Sequence, residues 1–142
     1  MGKFSAPDRA KYSLDRIFNR GYYSPVKWEV EVVDEFTEWY EDLSEKEQDS
    51  VAASVGLLEI MGPSLGFPHS SGVRESKFGH MRELRIQHEG RPYRVLYAFD
   101  PMRVAVLLLG GDKTGNDRWY EESVPEADSR YESYLQEVKK KR

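Results

Sequence analysis

The chain has 142 residues, of which 39% are hydrophobic and 32% charged, with a net charge of −4 at pH 7. This length predicts one compact domain. No apolar run approaches the roughly 18 residues of a membrane span, and the N-terminus lacks the apolar core of a secretory signal. These features predict a cytoplasmic protein without membrane contact. The absence of cysteine excludes disulfides and thiolate sites, and the three histidines are not spaced as zinc ligands, so neither a cofactor nor a metal is expected.

The first predicted element is a helix in SAPDRAKYSLDRIF, residues 5–18, where Ser5 can cap the chain and apolar residues recur at helical spacing. We assign residues 1–25 to an N-terminal helical extension and residues 26–142 to the main domain. The segment VKWEVEVV, residues 26–33, alternates apolar and charged side chains and predicts the first strand.

Two helices should follow this strand. DEFTEWYEDL, residues 34–43, places its aromatic residues on one helical face, and the next segment, residues 44–62, restarts with a capping box of Ser44 and Glu47. The short connection between the two segments predicts a helical hairpin.

The second half of the domain predicts a β-meander and a final helix. After the loop GPSLGFPHSSG, residues 77–87, 92–99 and 102–109 read as three strands, and Ser123 with Glu126 can cap the last helix. Helices that precede a run of strands indicate an α+β domain, with the helical hairpin packed on one face of a mostly antiparallel four-stranded sheet. The other face of the sheet should then be at least partly open.

Charge is segregated along the chain. Residues 29–49 hold ten acids and one lysine, whereas residues 73–118 hold nine arginines and lysines and six acids. The acidic stretch has a simple interpretation as a solvated helical face. In the basic stretch, alternation puts Leu84 and Ile86 on the core face and Arg85 on the polar face. If the meander pairs in register, Arg94 lies beside Arg85 on the next strand.

Three segments resemble one known family. SKFGHMRELRI (residues 76–86), YRVLYAF (93–99) and VLLLGGDKTG (106–115) occur in the order and spacing of the RelE/HigB-type toxins of bacterial toxin–antitoxin pairs, especially the phage Gp49-like branch. The resemblance implies a RelE-like fold and a small endoribonuclease that cuts mRNA, usually in the ribosomal A site, without a metal. It also implies a cognate antitoxin as partner, often a helix-turn-helix protein.

RNA cleavage without a metal requires groups that move protons and cations that stabilise charge on the phosphate. The candidate catalytic residues are Arg85, Arg94, Lys113 and Lys77, and the candidate RNA-binding residues are Arg82, Tyr97, Arg91 and Arg118. Each has a structural alternative: an arginine on a sheet often pairs with a cross-strand acid such as Glu83, a loop lysine is often solvated, and Tyr97 alternates with core residues.

The sequence therefore predicts a metal-independent mRNA interferase, with two alternatives left open. One is a ParE-like inhibitor of DNA gyrase on the same fold, and the other is a non-catalytic interaction domain whose arginines only form surface pairs. The observation that separates cleavage from the last alternative is whether Arg85, Arg94 and Lys113 converge in the open or are paired with acids. The acidic helical hairpin should face away from RNA if the chain is a nuclease.

Overall fold

The computed structural model describes residues 2–3 and 27–141, so the predicted helix at residues 5–18 lies outside the described residues and the domain division at residue 25 stays a prediction. The strands are β1 Gly2–Lys3, β2 Val30–Val32, β3 Ser70–Gly72, β4 Arg82–His88, β5 Arg91–Phe99 and β6 Ala105–Asp112. The α-helices of the described residues are α1 Asp34–Glu41, α2 Glu45–Met61 and α3 Trp119–Lys141. None of these helices is long and apolar enough to cross a membrane.

The strands form one sheet in the order β1-β2-β6-β5-β4-β3. Strands β2 and β6 pair in parallel, and every other neighbouring pair is antiparallel. The predicted α+β class and the mostly antiparallel sheet are therefore confirmed. All four predicted strands are present, and the two short edge strands β1 and β3 bring the sheet to six strands within the described residues.

Helices cover both faces of the sheet, and two adjacent glycines of β6 show how closely they approach. A Cβ atom at Gly110 would lie 2.3 Å from the Trp39 ring of α1, and one at Gly111 would lie 2.8 Å from the Trp119 indole nitrogen of α3. Successive residues of a strand point to opposite faces, so the Gly-Gly pair admits one tryptophan on each side. We call the side with α1 and α2 the hairpin face, and the side with α3 the α3 face.

This packing limits the accessible part of the face that was expected to be at least partly open. Residues 93–98 of β5 are buried without alternation, because α3 covers the centre of the sheet opposite the helical hairpin. Met81 and Glu83, which alternation assigns to the polar face, are buried as well. Among the described residues, the end of the α3 face near the β4–β5 turn stays accessible, where Arg85 is partly exposed and Gln87 is exposed.

Capping chemistry sets the helix starts. The predicted capping box of α2 is confirmed, since the Ser44 hydroxyl accepts from the Glu47 N–H and the Glu47 carboxylate accepts from the Ser44 N–H. The start of α3 differs from the expected cap at Ser123. It begins at Trp119, because the Asn116 side chain accepts a hydrogen bond from the Arg118 N–H at 3.0 Å and turns the chain into the helix earlier.

The Glu47 carboxylate also joins α2 to the sheet, and this contact predicts acid sensitivity. The pKa of Glu47 falls from 4.5 to about 2, first because the Tyr93 hydroxyl donates to it and then because the Ser44 N–H does. A depressed pKa in the folded state stabilises the fold above the unfolded pKa, and this stabilisation is lost as the pH falls through the folded value. Glu47→Gln should therefore lower the urea midpoint at neutral pH, and the difference from the parent should shrink toward pH 2.

Urea denaturation at about pH 7 and about pH 3 measures this difference, with the two values chosen to lie on either side of the unfolded pKa. Glu45→Gln, on the exposed first turn of the same helix, is the matched control, and its urea midpoint should stay close to that of the parent at both pH values. An equal loss of stability for Glu47→Gln at both pH values would contradict the linkage.

Candidate functional site

The strand register brings three predicted basic residues onto the α3 face. Arg85 of β4 lies directly opposite Arg94 of β5, and Arg94 lies opposite Gly111 of β6. Lys113 follows two residues after Gly111, and its N–H donates to the Pro92 carbonyl at 3.0 Å, which keeps it on the same face. We call Arg85, Arg94 and Lys113 the basic cluster.

A buried carboxylate lies at the centre of this cluster. Glu83 is only 4% exposed, and both of its oxygens are engaged. One oxygen accepts from the Ser71 hydroxyl at 2.7 Å and from Arg85 Nη1 at 3.3 Å. The other accepts from the Tyr120 hydroxyl at 2.6 Å and lies 3.5 Å from Arg94 Nε. Glu83 therefore offsets the repulsion between two arginines that face each other across strands.

The three cations differ in how much solvent they reach. Arg94 is 5% exposed, and its Nη1 donates to the Tyr93 carbonyl at 2.9 Å, so its role is mainly to fix the centre of the cluster. Its Nε has no hydrogen-bond partner among the described residues. The Arg85 side chain is 31% exposed, and Lys113 is half-buried with its ammonium 5.8 Å from the centre of the Tyr120 ring. Arg85 and Lys113 are the members open to a ligand.

Tyr120 is a member of the site that sequence analysis missed. It lies in the first turn of α3, between Lys113 and Glu83. Burial raises the pKa of its hydroxyl, and the hydrogen bond to Glu83 and that carboxylate's charge raise it further, whereas Arg94 opposes the shift. The hydroxyl therefore holds its proton at neutral pH and can donate it. The early start of α3 brings Tyr120 next to the basic cluster. The sequence feature that could have predicted this is a tyrosine seven residues after Lys113.

Lys77 lies outside the basic cluster. Its ammonium pairs with Glu132 of α3, while its backbone N–H donates to the Asp128 carboxylate at 3.1 Å. Glu132 follows Tyr120 by twelve residues, a distance of about 18 Å along the helix axis. The buried Asp128 thus holds the loop before β4 against the far part of α3, away from the cluster.

Arg82, Tyr97 and Arg91 point to the hairpin face instead. The Tyr97 ring is fully buried, and its hydroxyl is 2.7 Å from the Ser70 hydroxyl, to which Arg82 Nε also donates at 3.1 Å. Arg91 lies at the other end of that face and pairs with Asp112 at 3.1 Å. None of these three side chains shares a surface with Arg85.

Two further polar residues, Arg118 and Asp112, make contacts of their own. Arg118, immediately before α3, is largely exposed and pairs with Glu121 at 3.1 Å. Asp112 closes the turn after β6: burial alone would raise its pKa, but hydrogen bonds from Thr114 and the nearby Arg91 lower it overall. Among residues 27–141, no group of three or more His, Asp or Glu side chains could hold a metal ion.

A mostly antiparallel sheet with a helical pair on one face and a basic cluster on the other is compatible with the RelE-like class of fold. Residues 38–132 match the model of the family described as "Phage derived protein Gp49-like (DUF891)". The chain belongs to this family, and with it to the HigB/RelE-type toxins of toxin–antitoxin systems. The three segments that suggested the resemblance all lie within the matched residues.

Two relatives from Mycobacterium tuberculosis agree with this placement. The protein named "Putative toxin HigB3" is 47% identical over 98 residues, which cover 68% of this chain and 84% of that protein. The protein named "Putative toxin HigB2" is 37% identical over 112 residues, which cover 78% of this chain and 55% of that protein. No solved structure gives a significant match.

Proposed function

We propose that the chain is an endoribonuclease that cleaves mRNA, without a metal, as the toxin of a type II toxin–antitoxin pair. The observation that carries the proposal is the basic cluster on the accessible end of the α3 face, with the Tyr120 hydroxyl beside it. The acidic helices α1 and α2 lie on the opposite side of the sheet, so their charge does not repel an RNA strand held at the cluster.

The chemistry assigns a role to each group. Arg85 offers a planar fork of donors to the scissile phosphate, and Lys113 neutralises the charge that builds on it as the 2′-hydroxyl attacks. The buried Glu83 positions Arg85 and Tyr120 by accepting their hydrogen bonds, and Arg94 pairs with Glu83. As the 2′-oxygen bonds to phosphorus, the bond from phosphorus to the 5′-oxygen breaks and leaves a 2′,3′-cyclic phosphate, while the 2′-hydroxyl proton passes to solvent water. The neutral Tyr120 hydroxyl, which lies beside Lys113 and donates to Glu83, can give its proton to the leaving 5′-oxygen and regain one from solvent.

Several finer features belong to the same proposal. Lys77 and Arg118 are exposed on the rim of the α3 face and are candidates for contacts to RNA farther from the cut. The residues on the hairpin face are not candidates for these contacts, namely Arg82, Arg91 and Tyr97. The partners would be mRNA, with the ribosome, and a cognate antitoxin of helix-turn-helix type in the cytoplasm. The two relatives named as HigB toxins support the antitoxin.

One observation favours a second candidate function, a non-catalytic interaction domain. Arg85 and Arg94 both pair with Glu83, at 3.3 and 3.5 Å, as a purely structural network would require. The nuclease explains more of the site, because Lys113 forms no ion pair with an acid among the described residues and the Arg85 side chain remains partly exposed.

Sequencing of RNA 5′-ends after brief induction in a bacterial host tests the proposal. New ends should accumulate inside coding regions within minutes, and Lys113→Ala at matched expression should not produce them. Purified protein should cut the same transcripts in excess EDTA, because no step uses a metal. Intact transcripts together with blocked DNA supercoiling would favour a gyrase inhibitor, and intact transcripts with normal supercoiling would favour an interaction domain.

A further inference from the structure

An exposed aromatic residue stands at the edge of the basic cluster. The Phe67 ring is 76% exposed, more than any other large apolar side chain of the described residues. It lies in the loop between the 3₁₀ turn Gly62–Ser64 and the edge strand β3. Single exposed apolar residues are common on proteins, so exposure alone assigns no role to this ring.

Its loop is fastened to β4 at the position of Arg85. The His69 carbonyl accepts a hydrogen bond from the Arg85 N–H at 2.9 Å, and the Gly66 carbonyl accepts from the N–H groups of His69 and Ser70 at 3.0 Å. Leu65, at the start of the loop, is buried in the core. The backbone on both sides of Phe67 is therefore anchored, and the ring is held where it is exposed.

The ring also contacts the cluster directly. The Arg85 guanidinium carbon lies 5.2 Å from the centre of the Phe67 ring, within the range of a cation–π interaction. Arg85 thus contacts both the Glu83 carboxylate and the Phe67 ring. An aromatic platform next to a partly exposed phosphate-binding cation is the arrangement that single-stranded nucleic acids use, since bases stack while the backbone is neutralised.

We propose that Phe67 is a base-stacking position for single-stranded RNA, which receives the nucleobase next to the phosphate at Arg85. The inference rests on the proposed function and adds the RNA subsite that orients the strand. Stacking tolerates every base, so Phe67 should contribute affinity with little sequence preference. An apolar side chain of a protein partner is the competing occupant.

Binding of an uncleavable ligand tests this separately from cleavage. The probe is a fluorescein-labelled 2′-O-methyl RNA of about ten nucleotides, a length within known single-strand site sizes, which lacks the attacking hydroxyl. Fluorescence anisotropy should show about 10- to 100-fold weaker binding for Phe67→Ala, and near-parental binding for Phe67→Trp, which retains the stacking face. Met102→Ala, at another exposed apolar residue on a distant turn, should bind like the parent.

An abasic oligonucleotide of the same length is the second arm. Because it offers phosphates without bases, the parent and Phe67→Ala should bind it equally. If Phe67→Ala binds the full RNA like the parent while Arg85→Ala binds weakly, the stacking position is wrong and the RNA site stands. If the parent itself fails to bind or cut RNA, the proposed function and this inference both fall. A loss of antitoxin binding with unchanged RNA binding would assign Phe67 to the protein partner and overturn the proposal.

Discussion

Lys113→Ala should lower the rate of RNA cleavage about 100- to 1000-fold without loss of folding stability, the cost typical of removing one preorganised donor from a site of charge stabilisation. The Lys113 ammonium lies over the Tyr120 ring and forms no ion pair with an acid of the described residues, so its charge is available to a phosphate. Its truncation opens no core cavity, because the side chain is only half-buried. Single-turnover cleavage of a defined transcript measures the effect.

The controls separate charge from geometry. Lys113→Arg keeps the charge with a different shape and should retain part of the rate. Lys46→Ala removes an exposed lysine of α2 on the opposite side of the sheet and should leave the rate unchanged. Thermal melting of all three variants should match the parent. If Lys113→Ala folds normally and cleaves at the parental rate, Lys113 is not part of the site.

Part of this site could be predicted from strand periodicity alone. The alternation of β4 placed Arg85 on the polar face, and Arg94 was expected beside it if the meander paired in register; the observed register confirms this pairing. The same periodicity separates Arg82 from Arg85, since residues three apart on a strand face opposite sides. That signal was present in the sequence and argues against Arg82 as a member of the same surface.

Other features depend on packing that no local pattern encodes. Alternation assigns Glu83 to the polar face as a cross-strand partner, yet α3 buries it, because this helix starts four residues before the expected cap and Trp119 packs on Gly111. The position of Lys77 depends on Asp128, which is fifty-one residues away in sequence and anchors the loop before β4. Contacts between such distant segments are set by the tertiary fold, so local spacing gives them no signature.

The burial of Glu83 and Arg94 predicts a large effect on stability. Glu83→Ala would leave the nearly inaccessible Arg94 guanidinium without its acid, and an uncompensated buried charge of this kind costs about 3–5 kcal/mol. Urea denaturation followed by far-UV circular dichroism should show a correspondingly lower midpoint. Glu121→Ala is the matched control, because Glu121 pairs with Arg118 in the open, where such a pair contributes about 0–1 kcal/mol.

A double substitution distinguishes charge pairing from simple loss of packing. Glu83→Met with Arg94→Met removes both charges and keeps most of the buried volume, and replacing a buried ion pair by apolar residues is often close to neutral. The double variant should therefore be more stable than Glu83→Met alone or Arg94→Met alone. The coupling energy between the two positions should be well above the few tenths of a kcal/mol expected between independent sites. If the two single losses add instead, Glu83 and Arg94 are not energetically coupled, and Glu83 acts through Ser71 and Tyr120 rather than through the arginine. The double variant also removes the Glu83 carboxylate that positions Arg85 and Tyr120. It should therefore remain folded and yet cut RNA poorly, which separates the stability of the fold from the organisation of the site.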